Sequence, residues 1–301
     1  MTTRVFIDGA AGTTGLEIES RLSDRPEFEL IRLDDDKRKD ADARRAALNA
    51  ADVVILCLPD DAAREAVALI DNPTTRVIDA STAHRTVAGW TFGFPELVGR
   101  DAVAQAKRVS NPGCYSTGFI ALVAPLVRGG LIDADARLSC SAVSGYSGGG
   151  KAMIAEFESG TATTAWRTYA LTLAHKHIPE MQRHCGLTHA PLFAPSVAAT
   201  HRGMIVDVPL FGVDPAKARD TLSWFYDGSA IVRVREFDEA NLTVEHMAGR
   251  DTMELFVFGN SEGSQCRLVA ALDNLGKGAS GAAVQSLNLM AGLPEATGLN
   301  L

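Results

Sequence analysis

The stretch SNPGCYSTGF, residues 110–119, places one cysteine between a tight turn and an apolar run. A thiol reacts as its thiolate, and the positive end of a helix lowers the pKa of a cysteine in its first turn. Asn111-Pro112-Gly113 makes the turn, so the spacing predicts a helix over 115–128 with Cys114 at its start. That is the setting of a nucleophile, or more blandly of a buried thiol in a helix cap. In HKHIPEM, residues 175–181, Pro179 and Glu180 suit the first turn of a helix, which sets His175 and His177 just ahead of it. A histidine there can act as acid and base for a thiol, or simply cap the helix. In DASTAHR, residues 79–85, Ser81, Thr82 and Arg85 can hold a phosphate, with arginine as a two-pronged clamp. The alternative is a capped turn with a surface arginine. His175, His177, His184 and His189 with Cys185 match no standard zinc spacing, so no metal is expected.

A fourth segment, DGAAGTTGLEI, spaces Gly9, Gly12 and Gly15 between a strand pattern and a helical one. Such a loop lets backbone approach a pyrophosphate, and the helix start supplies N–H groups. The second strand pattern ends in LDDDKRKD. Asp34 lies where an acid would bind the ribose of NAD, whereas Lys37 and Arg38 can hold a 2′-phosphate instead. A solvated charge run is the third possibility, and the local sequence leaves the three open.

These residues need elements to hold them. Over the first 110 residues, apolar strand patterns at 4–8, 28–33, 52–58 and 76–80 alternate with helical ones. That alternation predicts a doubly wound, Rossmann-type parallel sheet of the α/β class. Its carboxyl edge would carry the glycine loop and the 79–85 segment. The second half reads differently, with longer alternating patterns at 137–145, 196–210, 230–237, 252–260 and 266–274 and a final helix over 277–293. An α+β domain with a mixed sheet is expected there.

The chain has 301 residues, 46% hydrophobic and 22% charged, enough for two domains with real cores. A net charge of −8 argues against a nucleic-acid backbone as partner. The longest apolar runs, 53–58 and 119–127, are too short to span a bilayer, and the start lacks a signal-peptide pattern, so a cytoplasmic setting without membrane partners is expected. The five cysteines are scattered, with no CxxC pair, so most are expected to be structural thiols.

Taken together, the segments resemble N-acetyl-γ-glutamyl-phosphate reductase of the short (type 2) variety. FIDGAAGTTG, DVVILCLPDDAA, DASTAHR, GFPEL, SNPGCYSTG, SGYSGGGKAMI, HKHIPEM and DNLGKGASGAAVQSLNLM carry the likeness, which spans nearly the whole chain. Aspartate-semialdehyde dehydrogenase is a more distant resemblance. The resemblance implies NADPH-dependent reduction of an acyl phosphate to an aldehyde in arginine biosynthesis, through a cysteine thioester. It implies Cys114 as nucleophile and His175 as acid/base, with Ser81, Arg85, Asn111, His177 and Glu180 toward the substrate and its phosphate. For NADP(H) it implies Gly9, Gly12, Thr13, Thr14, Gly15, Lys37 and Arg38, then Asn274, Gly276, Lys277 and Gly278. Residues 1–113 with 274–301 would form the nucleotide domain, and 114–273 a catalytic domain that also joins subunits into a dimer or tetramer. Ser116 departs from longer relatives, which carry proline after Cys-Tyr. Two rivals remain: a related reductase for an aspartyl or aminoadipyl substrate, and an NADP-binding sensor without catalysis.

Overall fold

The computed structural model describes residues 2–34, 36–38 and 40–301. The chain divides into two compact units, Met1–Pro112 with Ala279–Leu299, and Gly113–Gly278 with Asn300–Leu301. The segment 274–278 thus lies in the second unit, and the chain returns to the first only at Ala279.

The first unit runs β1 (Thr3–Asp8), α1 (Thr13–Leu22), β2 (Phe28–Ile31), α2 (Ala41–Ala50), β3 (Val53–Leu56), α3 (Asp60–Ala68) and β4 (Arg76–Asp79). It continues through β5 (Thr91–Phe92), α4 (Pro95–Val98), α5 (Arg100–Gln105) and β6 (Arg108–Ser110). The sheet order is β2-β1-β3-β4-β6-β5, with every strand pair parallel. Val53–Leu56 is wholly buried, which is why its apolar character is continuous rather than alternating. The strand order reverses at β1, so the loops after β1 and β3 lie at the edge where doubly wound sheets bind ligands.

The second unit holds α6 (Cys114–Arg128), β7 (Ser139–Gly145), α7 (Gly150–Glu158), β8 (Trp166–Thr168), α8 (Ile178–Cys185) and β9 (Leu192–Ala198). It closes with β10 (Met204–Phe211), α9 (Pro215–Phe225), β11 (Val232–Val234), β12 (Met253–Gly259) and β13 (Gln265–Leu272). Its mixed sheet has the order β11-β12-β13-β10-β7-β9-β8. The pattern at 196–210 is two strands, not one. The chain turns between β9 and β10, and Gly203 (φ +108°) allows it, since a Cβ there would sit 2.1 Å from the Val244 carbonyl oxygen. The final helical pattern also divides, into a π-helical turn over Gly276–Ser280 and α10 (Gly281–Met290), which rejoins the first unit.

Two contacts show how these elements are held. In the first unit Arg76 is half-buried and donates to the carbonyls of Ala104, Ala106 and Met290 at 2.6–2.9 Å, closing the ends of α5 and α10 together. In the second, α6 lies on the sheet so closely that a Cβ on Gly118 would meet Val206 Cγ2 at 2.7 Å. Pro125 within α6 has no N–H to give the Ala121 carbonyl, and the buried Tyr226 hydroxyl donates to that oxygen instead, at 2.9 Å.

Tyr226→Phe would therefore strand a buried carbonyl, and chemical denaturation should report a loss of about 1–3 kcal/mol. In a Pro125→Ala background the restored N–H reaches Ala121, and the same substitution should cost less than about half as much. Equal losses in both backgrounds would show that the hydroxyl does not compensate for the proline.

Candidate active site

The second unit carries the thiol. Gly113, with extended backbone (φ −78°, ψ 151°), is the N-cap of α6, and Cys114 is the first helical residue. Ser116 Oγ and Thr117 Oγ1 both donate to the Gly113 carbonyl, at 2.8 and 2.9 Å, and tighten the turn. Ser116 thus supplies by hydrogen bonding a rigidity that proline would supply by its ring. The N-cap residue, a glycine, offers no side-chain cap and no acid lies within the first turn, so the helix start keeps its positive potential. Glu180, 1% exposed in the first turn of α8, accepts the N–H of Gly113 at 3.2 Å. It fixes the residue before Cys114.

The other four cysteines are electrostatically different. Burial pushes the thiols of Cys140 and Cys185 far up. Burial, with the charges of Asp79 and Asp8, raises Cys57 to about 12. Burial, with Asp214, raises Cys266 to about 11. All four are protonated at neutral pH. Cys114 alone combines partial exposure with a helix start.

His175 stands in a cage of rings. Centroid distances are 4.7 Å to His177, 5.1 Å to Phe193, 5.8 Å to Tyr169 and 5.9 Å to Tyr115. The His177 N–H donates to its Nδ1 at 3.1 Å, so Nδ1 presents a lone pair and the neutral ring carries its proton on Nε2. Tyr115 follows the nucleophile directly, and its hydroxyl donates to the Ser196 carbonyl at 2.8 Å while accepting from Tyr169 at 3.2 Å. Burial raises the Tyr169 hydroxyl to about 12, and the nearby Cys114 charge also disfavours its ionisation. Thiol, tyrosines and imidazole belong to one cluster. Tyr115 lies within the segment that carries the thiol, whereas Tyr169 carries no local signal at all.

The segment 274–278 completes the surroundings of the thiol. Asn274 donates to Ser147 Oγ at 2.8 Å and accepts the Gly203 N–H at 3.0 Å. A Cβ on Gly276 would collide with the Arg250 carbonyl at 2.0 Å, and one on Gly278 would lie 2.9 Å from Cys114 Cβ. Lys277 is buried between them. These residues shape the backbone beside Cys114, and Gly278 keeps the space next to it open. Lys151, in contrast, is exposed on α7.

In the first unit, Ser81 Oγ donates to Asp79 Oδ2 at 2.7 Å, and His84 Nδ1 contacts the same oxygen at 2.6 Å. Arg85 donates to the carbonyls of Asn111 and Ala80, at 2.9 and 3.2 Å. Asn111 Nδ2 donates to the Ala279 carbonyl at 3.0 Å, and its buried Oδ1 has no partner among the described residues. These side chains build the loop after β4.

A cavity of about 590 Å³ opens beside the glycine loop, lined among others by Gly9, Ala10, Leu33, Arg38, Arg44 and Leu58. Gly9 (φ +90°) and Gly15 are fixed by the fold, since a Cβ would meet the Cys57 carbonyl at 2.3 Å and the Gly9 carbonyl at 2.5 Å respectively. Gly12 is not crowded, its nearest atom being the Gly9 oxygen at 3.4 Å. Of the charge run, Arg38 lines the cavity; Lys37 instead pairs with Asp34 at 3.7 Å on the surface. Among the described residues no helix is long and apolar enough to cross a membrane, and no group of histidine, cysteine and acidic side chains is arranged to hold a metal.

Comparison with known proteins agrees with this geometry. A family model described as semialdehyde dehydrogenase, NAD binding domain, matches residues 4–106, and one described as semialdehyde dehydrogenase, dimerisation domain, matches 114–274. N-acetyl-gamma-glutamyl-phosphate reductase 2 of Nostoc sp. is 46% identical over 318 residues, covering 98% of this chain and 99% of that one. The chain belongs to the N-acetyl-γ-glutamyl-phosphate reductase family. Members from Pseudomonas putida and Brucella anthropi are each 48% identical, covering 98% and 97% of this chain and 98% and 99% of theirs. Aspartate semialdehyde dehydrogenase II of Vibrio cholerae, in complex with ASA, shares the fold at TM-score 0.74 and 16% identity, over 96% of this chain and 98% of that one.

The reductase family uses NADP(H), and the residues of the first unit fit a dinucleotide. The start of α1 has no side-chain cap and no acid in its first turn. Thr13 Oγ1 is buried there without a partner among the described residues, a donor ready for a phosphate oxygen. Gly12, which the fold itself does not demand, leaves room for close approach.

The contrast among thiols predicts selective alkylation. At pH about 8, iodoacetamide should take up one equivalent on Cys114, with the other four modified only after unfolding. Peptide mapping reads the site; modification of Cys57 at a comparable rate would contradict the assignment.

Proposed function

We propose that the protein reduces N-acetyl-γ-glutamyl phosphate to N-acetylglutamate 5-semialdehyde with NADPH, releasing phosphate, through a thioester on Cys114 in arginine biosynthesis. The supporting observation is the placement of Cys114 in the uncapped first turn of α6, in one cluster with a histidine whose tautomer is set.

The Cys114 thiolate attacks the γ-acyl carbon. A C–S bond forms, and the C–O bond to phosphate breaks. First-turn N–H groups of α6 stabilise the oxyanion, with His175 Nε2–H as a further donor. His175 works better as a donor than as a base here, because taking a second proton on Nδ1 would set N–H against the N–H of His177. The nicotinamide cofactor, when bound in the first unit, supplies the hydride that reduces the acyl carbon. Cys114 then leaves as thiolate, again favoured by the helix start, and the aldehyde is freed. One proton is taken up overall and ends on the released phosphate. Glu180 holds Gly113 and so the aim of the sulfur, and His177 holds His175. Splitting the reduction in two gives the hydride a thioester to reduce rather than a carboxylate.

In the reverse assay, N-acetylglutamate semialdehyde with NADP and phosphate should yield NADPH. Cys114→Ser should reduce turnover by more than about a thousandfold. His175→Gln should reduce it by about a hundredfold or more. Turnover of aspartate semialdehyde alone would move the substrate, and activity without the thiol would refute the mechanism.

The protein is proposed to act as a homo-oligomer in the cytoplasm. One face of the second unit's sheet packs on α6, but the other exposes Ser139, Leu192, Ser141, Ala194 and Phe211. Phe211 is 80% exposed. A second copy fits an apolar strand surface of this kind, in keeping with the match to a dimerisation domain. Phe211→Glu should lower the sedimentation coefficient toward that of the monomer at micromolar concentration. An unchanged coefficient would exclude this face.

A further inference from the structure

The charge around the cavity in the first unit is organised in a way the glycine loop does not require. Among the described residues, its charged lining comprises two carboxylates, Asp8 and Glu19, and three arginines, Arg32, Arg38 and Arg44. Each carboxylate is already paired: Glu19 accepts Arg32 Nε at 2.7 Å, and Asp8 accepts Arg44 Nη2 at 2.8 Å. Asp34, where an acid would bind a ribose 2′-hydroxyl, does not line the cavity and is 80% exposed at its side chain, paired with Lys37. Among the described residues the lining therefore holds no carboxylate without an arginine partner for that hydroxyl, and its arginines outnumber its carboxylates.

Arg44 is the distinctive member. It lies on α2, its side chain only 17% exposed, and both Nε and Nη2 converge on one oxygen of Asp8, at 3.3 and 2.8 Å. Nη1 makes no hydrogen bond among the described residues, and Arg44 is one of the residues lining the cavity. A guanidinium matches a phosphate with two parallel donors, so half of the fork is held by the protein while the other half is left for an anion. Asp8 also ends β1 beside the glycine loop, where an unpaired carboxylate would repel any phosphate. Apolar Leu33, Leu58 and Ala62 supply a surface suited to a purine.

We propose that Arg44, oriented by Asp8 and joined by Arg38, binds the 2′-phosphate of the cofactor's adenosine and sets the preference for NADP(H) over NAD(H). The assignment rests on the reading of the first unit as a dinucleotide domain. Arg44 and Arg38 are binding residues, and Asp8 is a positioning residue.

The test is calorimetric titration of the full chain with adenosine 2′,5′-bisphosphate and with adenosine 5′-monophosphate, without substrate or turnover. The unsubstituted protein should prefer the bisphosphate. Arg44→Gln should reduce the ratio of the two affinities by at least about tenfold. Asp8→Asn should reduce it by a smaller factor, because the cation stays but loses its aim. An unchanged ratio in Arg44→Gln, or no preference in the unsubstituted protein, would overturn the assignment while leaving the dinucleotide reading intact. Binding of neither nucleotide by the unsubstituted protein would overturn both. If Arg44→Gln melts early, Arg44→Lys decides: it keeps the charge without the fork, and an intermediate ratio supports the assignment whereas an unchanged one refutes it.

Discussion

The amino end of α6 is the constraint around which the second unit is built. A helix of 15 residues, almost entirely buried, begins behind a glycine that has no side chain to cap it, with no acid in its first turn. A structural helix more often recruits serine, threonine or aspartate at that position. Here Ser116 and Thr117 turn their hydroxyls back onto the Gly113 carbonyl, and Glu180 takes the N–H of Gly113. The potential is left directed at the sulfur and at whatever charge forms beside it. The caged imidazole, the glycine at 278 and the turn that contains it all serve that end, by fixing a donor and keeping a space clear.

A comparable economy governs the first unit. The glycines of its loop divide into Gly9 and Gly15, which the chain needs for itself, and Gly12, which it does not, and the two described acids that line its cavity are each held by an arginine. An anion site assembled from paired charges can be strongly directional without being strongly charged overall, which suits a chain of net charge −8. The loop after β4 differs. Of Ser81, Thr82 and Arg85, which the sequence offers as a set for a phosphate, the first two donate to Asp79 and Asp60 and the third to the Asn111 and Ala80 carbonyls.

What the sequence made legible was whatever depends on local spacing. Cys114 behind Asn-Pro-Gly, Pro179-Glu180 opening a helix, and strand–helix alternation are all short-range signals, and the observed elements start within a residue or two of them. The resemblance added the chemistry. Pairings across many residues were hidden: Tyr169 on Tyr115, Asp8 on Arg44, and Gly278 against Cys114 are set by the fold rather than by neighbours in the chain. The turn at 199–203 was hidden too, because its alternation continues on both sides and only Gly203 marks the break. One readable signal was passed over. Asp214-Pro215 before α9 is an N-cap followed by proline at the first turn, and Asp214 does accept the N–H groups of Ala216 and Lys217.

The return of the chain to its first unit has a consequence for biosynthesis. Ala283, Val284, Leu287 and Met290 of α10 belong to the same apolar core as Val5, Ile18 and Ile55, and Arg76 needs the Met290 carbonyl to complete its hydrogen bonds. The nucleotide unit therefore cannot close while the ribosome is still making the middle of the chain. The second unit, nearly continuous in sequence, has all but its last two residues before α10 emerges. The second unit can therefore take its shape first, while the first waits for α10 to fill its core.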